Sequence, residues 1–461
     1  MGSSVFARLV LLCVLLATFT SIVSARPKSD VPSRLLIKRI EALLTKEFHP
    51  NRPGGVVLIA HRDKVLFRGA YGLADLELGV PMRPDAVFRI GSITKQFTAV
   101  AILKLVAEGK LGLNDDVRTY NPELPYSVTI EQVLTHTSGL PNLVDLNDFE
   151  NLARRDYRVD ELLALTKNEK LHFTPGSGFK YSDTGYILLG AIVERASGLS
   201  YSDYLESKIF RPLGMSSSYY GDDRRVVPRR ASGYSFAGEQ VLNASYLNMS
   251  VPHSAGGLVS TVDDLLRWDI ALRSGAVVRK DLLDRAWSTR TLPDGSHSGY
   301  GFGWKMCEFE GRRTIEHGGW INGFSAKAIR LPDDDLNVIV LVNNDSDRPD
   351  AGLIARRLAK LVLTGSDQFD QYHLTVGQRQ LLVGQYVLSR DVSVTISEHD
   401  GSLYYQRGSD RRERLIALSP TKLSFAKGDR TFLFNFERDK LRMTLSCEPA
   451  GVATRVVPGS R

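Results

Sequence analysis

The tetrapeptide SITK at residues 92–95 places a hydroxyl and an amine three residues apart. On a helix these two side chains share one face, with Cβ atoms roughly 5–6 Å apart, so the amine can take the proton of the hydroxyl. Apolar residues recur every fourth position from Phe97 to Leu105, and Gly109 is a stop signal, which predicts a largely buried helix. At its start, free N–H groups and the helix dipole favour a developing negative charge. The pattern predicts that Ser92 is a nucleophile with Lys95 as its base.

A serine and a lysine at this spacing occur by chance in most chains of this length. The prediction therefore depends on two further groups of residues. Tyr181, Ser182 and Asp183 lie in the stretch FTPGSGFKYSDTGYILLG, and Tyr181 follows Ser92 by 89 residues. His317 begins an HGG triplet in TIEHGGWINGFSA, 136 residues after Tyr181. The three groups together predict one site for covalent catalysis.

Their order and spacing resemble the active-site elements of serine β-lactamases and penicillin-binding proteins, which are SxxK, a YxN or SxN element, and a KTG or HxG strand. The separations resemble those of class C β-lactamases and their DD-peptidase, D-aminopeptidase and esterase relatives. Class A enzymes are a poorer match. The resemblance extends over residues 35–365 and includes the stretches TIEQVLTHTSGL, AGGLVSTVDDLLRW and YGFGW.

The resemblance implies an α+β fold in which helices flank an antiparallel sheet, beside an all-helical lobe with the active site in the cleft between them. The chain's own patterns are compatible with that order. Strands at 55–60 and 65–71 are predicted to form a hairpin at Arg62 and Asp63, and further strands are predicted at 313–316, 325–331 and 336–343. Most of the chain between 92 and 272 has helical patterns.

The two ends of the chain have a different character. Residues 1–25 resemble a secretory signal, with Arg8, an apolar run at 9–17 and the small residues VSA before Arg26. We therefore expect an exported protein, periplasmic or secreted, with no stable membrane insertion after removal of the signal; the alternative is a tether through an uncleaved signal segment.

The hydrolase domain is then predicted to span 26–365 and a small antiparallel β domain 366–461. Alternating strands are predicted at 392–396, 403–405, 422–426, 431–436 and 441–446, with a turn at Asp400 and Gly401 and a loose tail from Pro449. This segment resembles the lipocalin-like barrel that is appended to some members of the family.

Composition excludes several function classes. The 461 residues are 43% hydrophobic and 24% charged, which is ordinary for a globular protein. Loss of Arg8 leaves 58 basic against 52 acidic residues, a surplus too small and too scattered for nucleic-acid binding. The histidines and cysteines lack metal-ligand spacing, so neither a metal nor a cofactor is predicted. Cys307 and Cys447 are interpreted as two isolated buried thiols, the alternative being a disulfide between the domains.

Roles for the site residues follow from the resemblance. Ser92 attacks an acyl carbon, while Lys95 and Tyr181 share the proton. The backbone N–H groups of Ser92 and Trp320 would stabilise the oxyanion. His317 takes the place of the KTG lysine, and Gly319 belongs to the same strand. His136 in LTHTSGL is interpreted as a structural histidine that holds its loop.

Asp183 departs from the family pattern, which has Asn here. An ionised Asp only accepts hydrogen bonds, so it should pair with Lys95, raise the pKa of the lysine and make it a poorer base. This favours a serine hydrolase that acts on esters, D-amino-acid peptides or amides through an acyl-enzyme. A class C-like β-lactamase and a non-catalytic penicillin-binding-like protein are the alternatives, and Asp183 could also meet a cationic group of a substrate. The expected partner is a small-molecule or peptide acyl substrate; the oligomeric state is left open.

Overall fold

A computed structural model describes residues 33–455 apart from 223, 294, 347–348, 370, 390–391, 409–411, 426–430, 438–439 and 446–452. The predicted signal segment, Cys13 and Cys447 lie outside the described residues. Within the described ranges, no helix has both the length and the apolar character needed to cross a bilayer.

The helices have these bounds: α1 (Arg34–Glu47), α2 (Thr94–Ala107), α3 (Ile130–Leu134), α4 (Phe149–Leu152), α5 (Val159–Ala164), α6 (Asp183–Ser197), α7 (Tyr201–Leu205), α8 (His253–Gly256), α9 (Val262–Arg273), α10 (Lys280–Ala286), α11 (Ala351–Thr364) and α12 (Val376–Leu382).

The first thirteen strands belong to the N-terminal part: β1 (Gly55–His61), β2 (Lys64–Tyr71), β3 (Leu73–Asp75), β4 (Val80–Pro81), β5 (Phe88–Arg89), β6 (Tyr219–Tyr220), β7 (Tyr234–Ala237), β8 (Gln240–Asn243), β9 (Leu258–Ser260), β10 (Lys305–Phe309), β11 (Arg312–Ile321), β12 (Phe324–Leu331) and β13 (Leu336–Val342). The C-terminal part has β14 (Gly384–Ser389), β15 (Val392–His399), β16 (Ser402–Arg407), β17 (Glu413–Ser419), β18 (Lys422–Phe425), β19 (Thr431–Glu437), β20 (Lys440–Leu445) and β21 (Ala453–Arg455).

A six-stranded antiparallel sheet in the order β10-β11-β12-β13-β1-β2 forms the centre of the catalytic part. The predicted hairpin is confirmed: His61 pairs with Lys64, and the turn residues Arg62 and Asp63 both have positive φ, as a type I′ turn requires. β1 is apolar from Gly55 to Ala60, and these residues are buried on both faces of the strand. Val57 packs with α1 and α11 on one face, whereas Val56 joins the core under the helical region on the other.

The segment between α2 and α9 is mostly helical, as predicted, and it also contains short strands. β6 and β9 form one small sheet with β5, which precedes α2, and β7 pairs with β8. α2 and α6 pack against each other at the centre of this region, and nearly every residue of α2 is buried. Ser92, the predicted nucleophile, therefore lies directly before one of the most deeply packed helices of the molecule. The α+β fold expected from the sequence is confirmed.

Strands β14 to β21 form an antiparallel sheet in sequence order, and the last strand pairs with the first. Its inner side is filled by side chains, including Tyr405, Phe425 and Phe432, whose ring centroids lie 5.0–5.1 Å apart. Strand β21 lies in the tail that was expected to be loose, which corrects that expectation. α12 is a further element that the sequence pattern did not predict. The specific likeness to lipocalins stays a prediction.

Cys307 on β10 is disulfide-bonded, so the interpretation of this residue as an isolated thiol is wrong. Spacing along the chain gives no signal for such a bond, because it depends on which strand edges meet in the folded structure.

Candidate active site

Ser92 lies in a 3₁₀ turn, Gly91–Ile93, that leads directly into α2. Gly91 has φ of 50°, and a Cβ there would lie 2.8 Å from the Trp320 amide nitrogen. Across the contact, a Cβ on Gly319 would lie 1.9 Å from the carbonyl oxygen of Ile90. Both positions require glycine, since a side chain would push the turn away from β11. The two glycines bring the backbone of Ser92 next to the backbone of Trp320.

Lys95 is completely buried, and its ammonium group has three acceptors. The Nζ atom donates to Ser92 Oγ at 3.1 Å, to Asp183 Oδ1 at 2.6 Å and to the Ala255 carbonyl at 2.9 Å. It also lies 4.6 Å from the ring centroid of Tyr181. The predicted SxxK contact is therefore present, and Ala255 completes the coordination of the lysine.

The Tyr181 hydroxyl is hydrogen-bonded to Ser92, so Ser92 contacts both predicted proton carriers. Burial and the nearby Asp183 carboxylate hold the pKa of Tyr181 well above its usual value. The phenol is protonated at neutral pH as a result. It can donate a proton to a leaving group, but it is a poor base in the resting site.

Asp183 is the first residue of α6, which Ser182 caps by accepting a hydrogen bond from the Gly185 amide. The Asn142 side chain accepts from the Asp183 amide at 2.9 Å and so fixes the start of this helix. The predicted ion pair between Asp183 and Lys95 is confirmed. Burial lowers the pKa of Lys95, whereas the Asp183 carboxylate raises it, and burial is the larger effect. The expected effect of Asp183 on the lysine is therefore confirmed, because the carboxylate raises the pKa of Lys95. The sequence could not show how deeply Lys95 is buried, and this burial outweighs the rise.

His317 is buried inside β11, which extends past the predicted strand end at 316. Its Nδ1 lies 2.6 Å from the Gly318 carbonyl, and its Nε2 lies 2.9 Å from the Tyr300 hydroxyl. A carbonyl only accepts, so Nδ1 carries the proton. Burial holds the pKa of His317 well below its usual value, and the neutral ring accepts a hydrogen bond from the Tyr300 hydroxyl at Nε2. Both ring nitrogens are engaged within the protein.

His136 packs between the aromatic rings of the site. Its ring centroid lies 4.3 Å from that of Tyr181 and 4.6 Å from that of Tyr300. Nδ1 accepts a hydrogen bond from the Ser182 amide at 3.1 Å. Burial keeps the pKa of His136 well below its ordinary value. These contacts fit the structural role inferred from the sequence, since the ring supports Tyr181 from behind.

Trp320 follows the HGG triplet and its side chain is exposed at the end of β11. The indole Nε1 donates to the Asp345 carbonyl at 2.6 Å, which holds the ring against the neighbouring loop. The structure thus brings Ser92, Lys95, Tyr181, Asp183, Gly319 and Trp320 together, with His317 behind them. Their catalytic roles remain predictions.

Sequence reasoning assigned no role to Tyr300, Ala255 and Asn142. Tyr300 belongs to YGFGW and Ala255 to AGGLVST, two stretches that resemble the family. Ala255 and Asn142 contribute a carbonyl oxygen and a helix-positioning amide. Within the described ranges, no group of three or more His, Cys, Asp or Glu side chains is arranged to hold a metal ion.

Comparison with known proteins agrees with this geometry. Residues 36–363 match the Beta-lactamase family. The chain is 29% identical over 412 residues to Penicillin-binding protein 4* of Bacillus subtilis, an alignment that covers 84% of this chain and 90% of the relative.

Two solved structures share the fold. The octameric penicillin-binding protein homologue from Pyrococcus abyssi superposes with a TM-score of 0.65 and 23% identity, covering 91% of this chain and 100% of the other. The D-amino acid amidase from Ochrobactrum anthropi SV3, complexed with D-phenylalanine, gives a TM-score of 0.63 and 24% identity, covering 72% of this chain and 99% of the other. The family match spans most of the sequence, and the chain therefore belongs to the beta-lactamase family of serine hydrolases.

Proposed function

We propose that the chain forms an acyl-enzyme on Ser92 and hydrolyses esters, D-amino-acid peptides or amides. The observation that carries this proposal is the double contact of Ser92, whose hydroxyl bonds both Lys95 and Tyr181 beside the backbone of β11. A serine becomes a nucleophile when an adjacent group can take its proton.

The reaction begins when Ser92 Oγ attacks the acyl carbon and its proton moves to Lys95. The carbonyl oxygen gains the electron pair and accepts hydrogen bonds from the Ser92 and Trp320 amides. Tyr181 lies on the other side of the hydroxyl and donates a proton to the departing alcohol or amine. Lys95 then returns a proton to Tyr181, and water hydrolyses the acyl-enzyme by the same steps in reverse.

Esters and α-amino-acid amides fit this site better than β-lactams. The carboxylate of Asp183 replaces the amide that would donate to a substrate carbonyl, so one donor is missing from the cleft. An ester is already electrophilic and loses least from a missing hydrogen bond, which is worth about 0.5–1.5 kcal/mol. The fold shared with a D-amino acid amidase is consistent with an amino-acid amide as the substrate.

A non-catalytic penicillin-binding-like protein is the second candidate. One observation favours it: the buried ammonium of Lys95 donates to three acceptors and has no lone pair free for the Ser92 proton. Such a protein would bind acyl compounds without turning them over.

Substitution of the nucleophile tests the proposal. Ser92→Ala is expected to abolish labelling by a fluorophosphonate probe and to reduce p-nitrophenyl ester hydrolysis by about a million-fold, as for other serine nucleophiles. Intact-mass spectrometry should locate the adduct on Ser92 in the wild type. Ser177→Ala, an exposed serine in a neighbouring loop, is the matched control and should label normally. If Ser92→Ala keeps more than a few per cent of wild-type kcat, Ser92 is not the nucleophile; labelling without turnover would favour the binding protein.

We also propose that the chain is exported and that the signal ends at Ala25. The disulfide of Cys307 supports this, because disulfides persist mainly in oxidising compartments. N-terminal sequencing of the native protein should begin at Arg26. An intact N-terminus in a membrane fraction would instead support the tethered form.

A further inference from the structure

Lys95 is arranged as a full ammonium in the resting site. Its three hydrogens are used by Ser92 Oγ, Asp183 Oδ1 and the Ala255 carbonyl. The rings of Tyr181 and Tyr186 lie 4.6 and 5.5 Å from Nζ, which also favours a cation. A base must offer a lone pair to the Ser92 hydroxyl. Lys95 therefore has to lose one proton before Ser92 can attack.

Asp183 is the group that opposes this loss. Burial disfavours the charged form of Lys95, whereas the charge and hydrogen bond of Asp183 favour it. If another cation neutralised the Asp183 carboxylate, burial would drive the proton off the lysine. The lysine could then keep its hydrogen bonds to Asp183 and Ala255 and offer its lone pair to Ser92 without moving.

The second oxygen of Asp183 is placed to meet such a cation. Oδ1 contacts Lys95, whereas Oδ2 has no partner among the residues that the structure describes, and the side chain is 28% exposed. Asp183 Oδ1 and Ser92 Oγ both bind Lys95 Nζ, at 2.6 and 3.1 Å, so the carboxylate lies close to the Ser92 hydroxyl. A substrate cation that pairs with Oδ2 would therefore be attached one or two bonds away from the acyl carbon that Ser92 attacks.

Resting on the function proposed above, we propose that Asp183 binds an ammonium group of the acyl donor, carried on the carbon next to the reacting carbonyl or one carbon further, and that this contact makes Lys95 the base. The substrate ammonium pairs with Oδ2, and Lys95 releases one proton to water in the cleft. The resulting amine takes the Ser92 proton as Oγ bonds to the acyl carbon. Tyr181 gives its proton to the leaving amine or alcohol, and Lys95 returns one proton to Tyr181. Neutral acyl donors leave Lys95 protonated and react slowly.

Matched substrates test the ammonium contact. The p-nitroanilides of D- and L-phenylalanine carry the cation, and those of 3-phenylpropanoic acid and 2-hydroxy-3-phenylpropanoic acid have the same ring without it. We expect wild-type kcat/KM to favour the better phenylalanine enantiomer over both neutral anilides by about 10- to 100-fold, the range of a hydrogen bond to a charged group. Asp183→Asn should bring the ratio close to one. Asp145→Asn, a carboxylate of the neighbouring loop that pairs with Lys180, is the matched control and should keep the preference.

The pH dependence of kcat tests the release of the lysine proton. In the wild type, the acidic limb should lie at lower pH for the ammonium substrate than for the neutral ones. In Asp183→Asn, the acidic limbs for the ammonium and the neutral substrates should coincide at the lower pH, because no carboxylate then holds the proton on Lys95. The other titratable side chains that interact with Lys95 or Asp183 are Tyr181, Tyr186, Tyr300, His136 and His317. All of them are the same in both enzymes.

Equal kcat/KM for cationic and neutral anilides in the wild type would overturn the inference, as would a preference that survives in Asp183→Asn. Coincident acidic limbs in the wild type would overturn the coupling to Lys95. In each of these cases the proposed function stands if the fluorophosphonate still labels Ser92. Loss of that labelling would instead overturn the proposed function itself.

Discussion

Tyr300 fixes the protonation state and orientation of His317. The histidine is held between a carbonyl that must accept from Nδ1 and a hydroxyl that donates to Nε2. An imidazole held in this way is neutral and cannot turn, whereas a lysine at this place would carry a charge. We therefore predict that a contact of His317 with a substrate is steric and dipolar, with no positive charge.

Tyr300→Phe should leave the buried Nε2 of His317 without a donor. We expect the free energy of unfolding to fall by about 1–3 kcal/mol, the cost of an unsatisfied buried polar group. Chemical denaturation at pH 7 measures this loss. Tyr120→Phe is the control, because its partly buried hydroxyl bonds Asp115 far from the site, and it should cost less. An unchanged stability in Tyr300→Phe would show that the contact is not needed to hold His317.

At the scale of elements, the site is a junction between a turn and a strand. The turn before α2 and the strand β11 approach so closely that each contributes a glycine at the point of contact. α6 enters from a third direction and carries Asp183 at its first position. The geometry of the candidate site therefore depends on how three elements from distant parts of the chain pack together.

The glycine contact can be tested on β11 itself. Gly319→Ala places a methyl group 1.9 Å from the Ile90 carbonyl, so the strand and the nucleophile turn must separate. We expect kcat/KM to fall by about 100- to 1,000-fold, as when one oxyanion-hole donor is removed. Gly318→Ala is the matched control, because the nearest atom to its methyl would lie 3.5 Å away, and it should retain most activity. Comparable losses in both variants would mean that β11 tolerates no added carbon atom, whatever its position.

At the scale of the whole molecule, a short connection after α11 joins the N-terminal part to the C-terminal β segment. α11 ends at Gly365 in a left-handed cap, and Arg357 on that helix pairs with Asp367 just beyond it. Phe369 packs edge-to-face on Phe309 of β10. We propose that 26–365 and 366–461 are separate folding units, since each has its own buried core.

Limited proteolysis tests this division. Arg and Lys are absent between 365 and 378, so trypsin should cut this segment poorly. A brief digest with a protease of broad specificity, such as subtilisin, should cut there and produce two fragments. If Cys307 pairs with Cys447, the fragments should migrate together on a gel until a reductant separates them. A chain that ends at Gly365 and carries Cys307→Ser should fold by itself. Absence of cleavage in this segment together with an insoluble truncated chain would show a single cooperative unit.

The sequence by itself was sufficient to predict that Ser92, Lys95, Tyr181 and Asp183 come together, and it also predicted the hairpin at Arg62 and Asp63 and most strands of the central sheet. These features depend on local spacing, turn preferences and apolar periodicity, all of which are visible along the chain. The pairing of Asp183 with Lys95 was also predictable, because the order of the three active-site elements matches that of the family.

Only the tertiary structure decided the state of these residues. Complete burial of Lys95 lowers its pKa by more than Asp183 raises it, and contacts from Ala255 and Tyr300 came from segments far along the chain. The disulfide of Cys307 likewise depends on long-range packing. Residue types and spacing specify which groups are available, but burial and long-range contacts set their charge, and that information exists only once the elements have packed together.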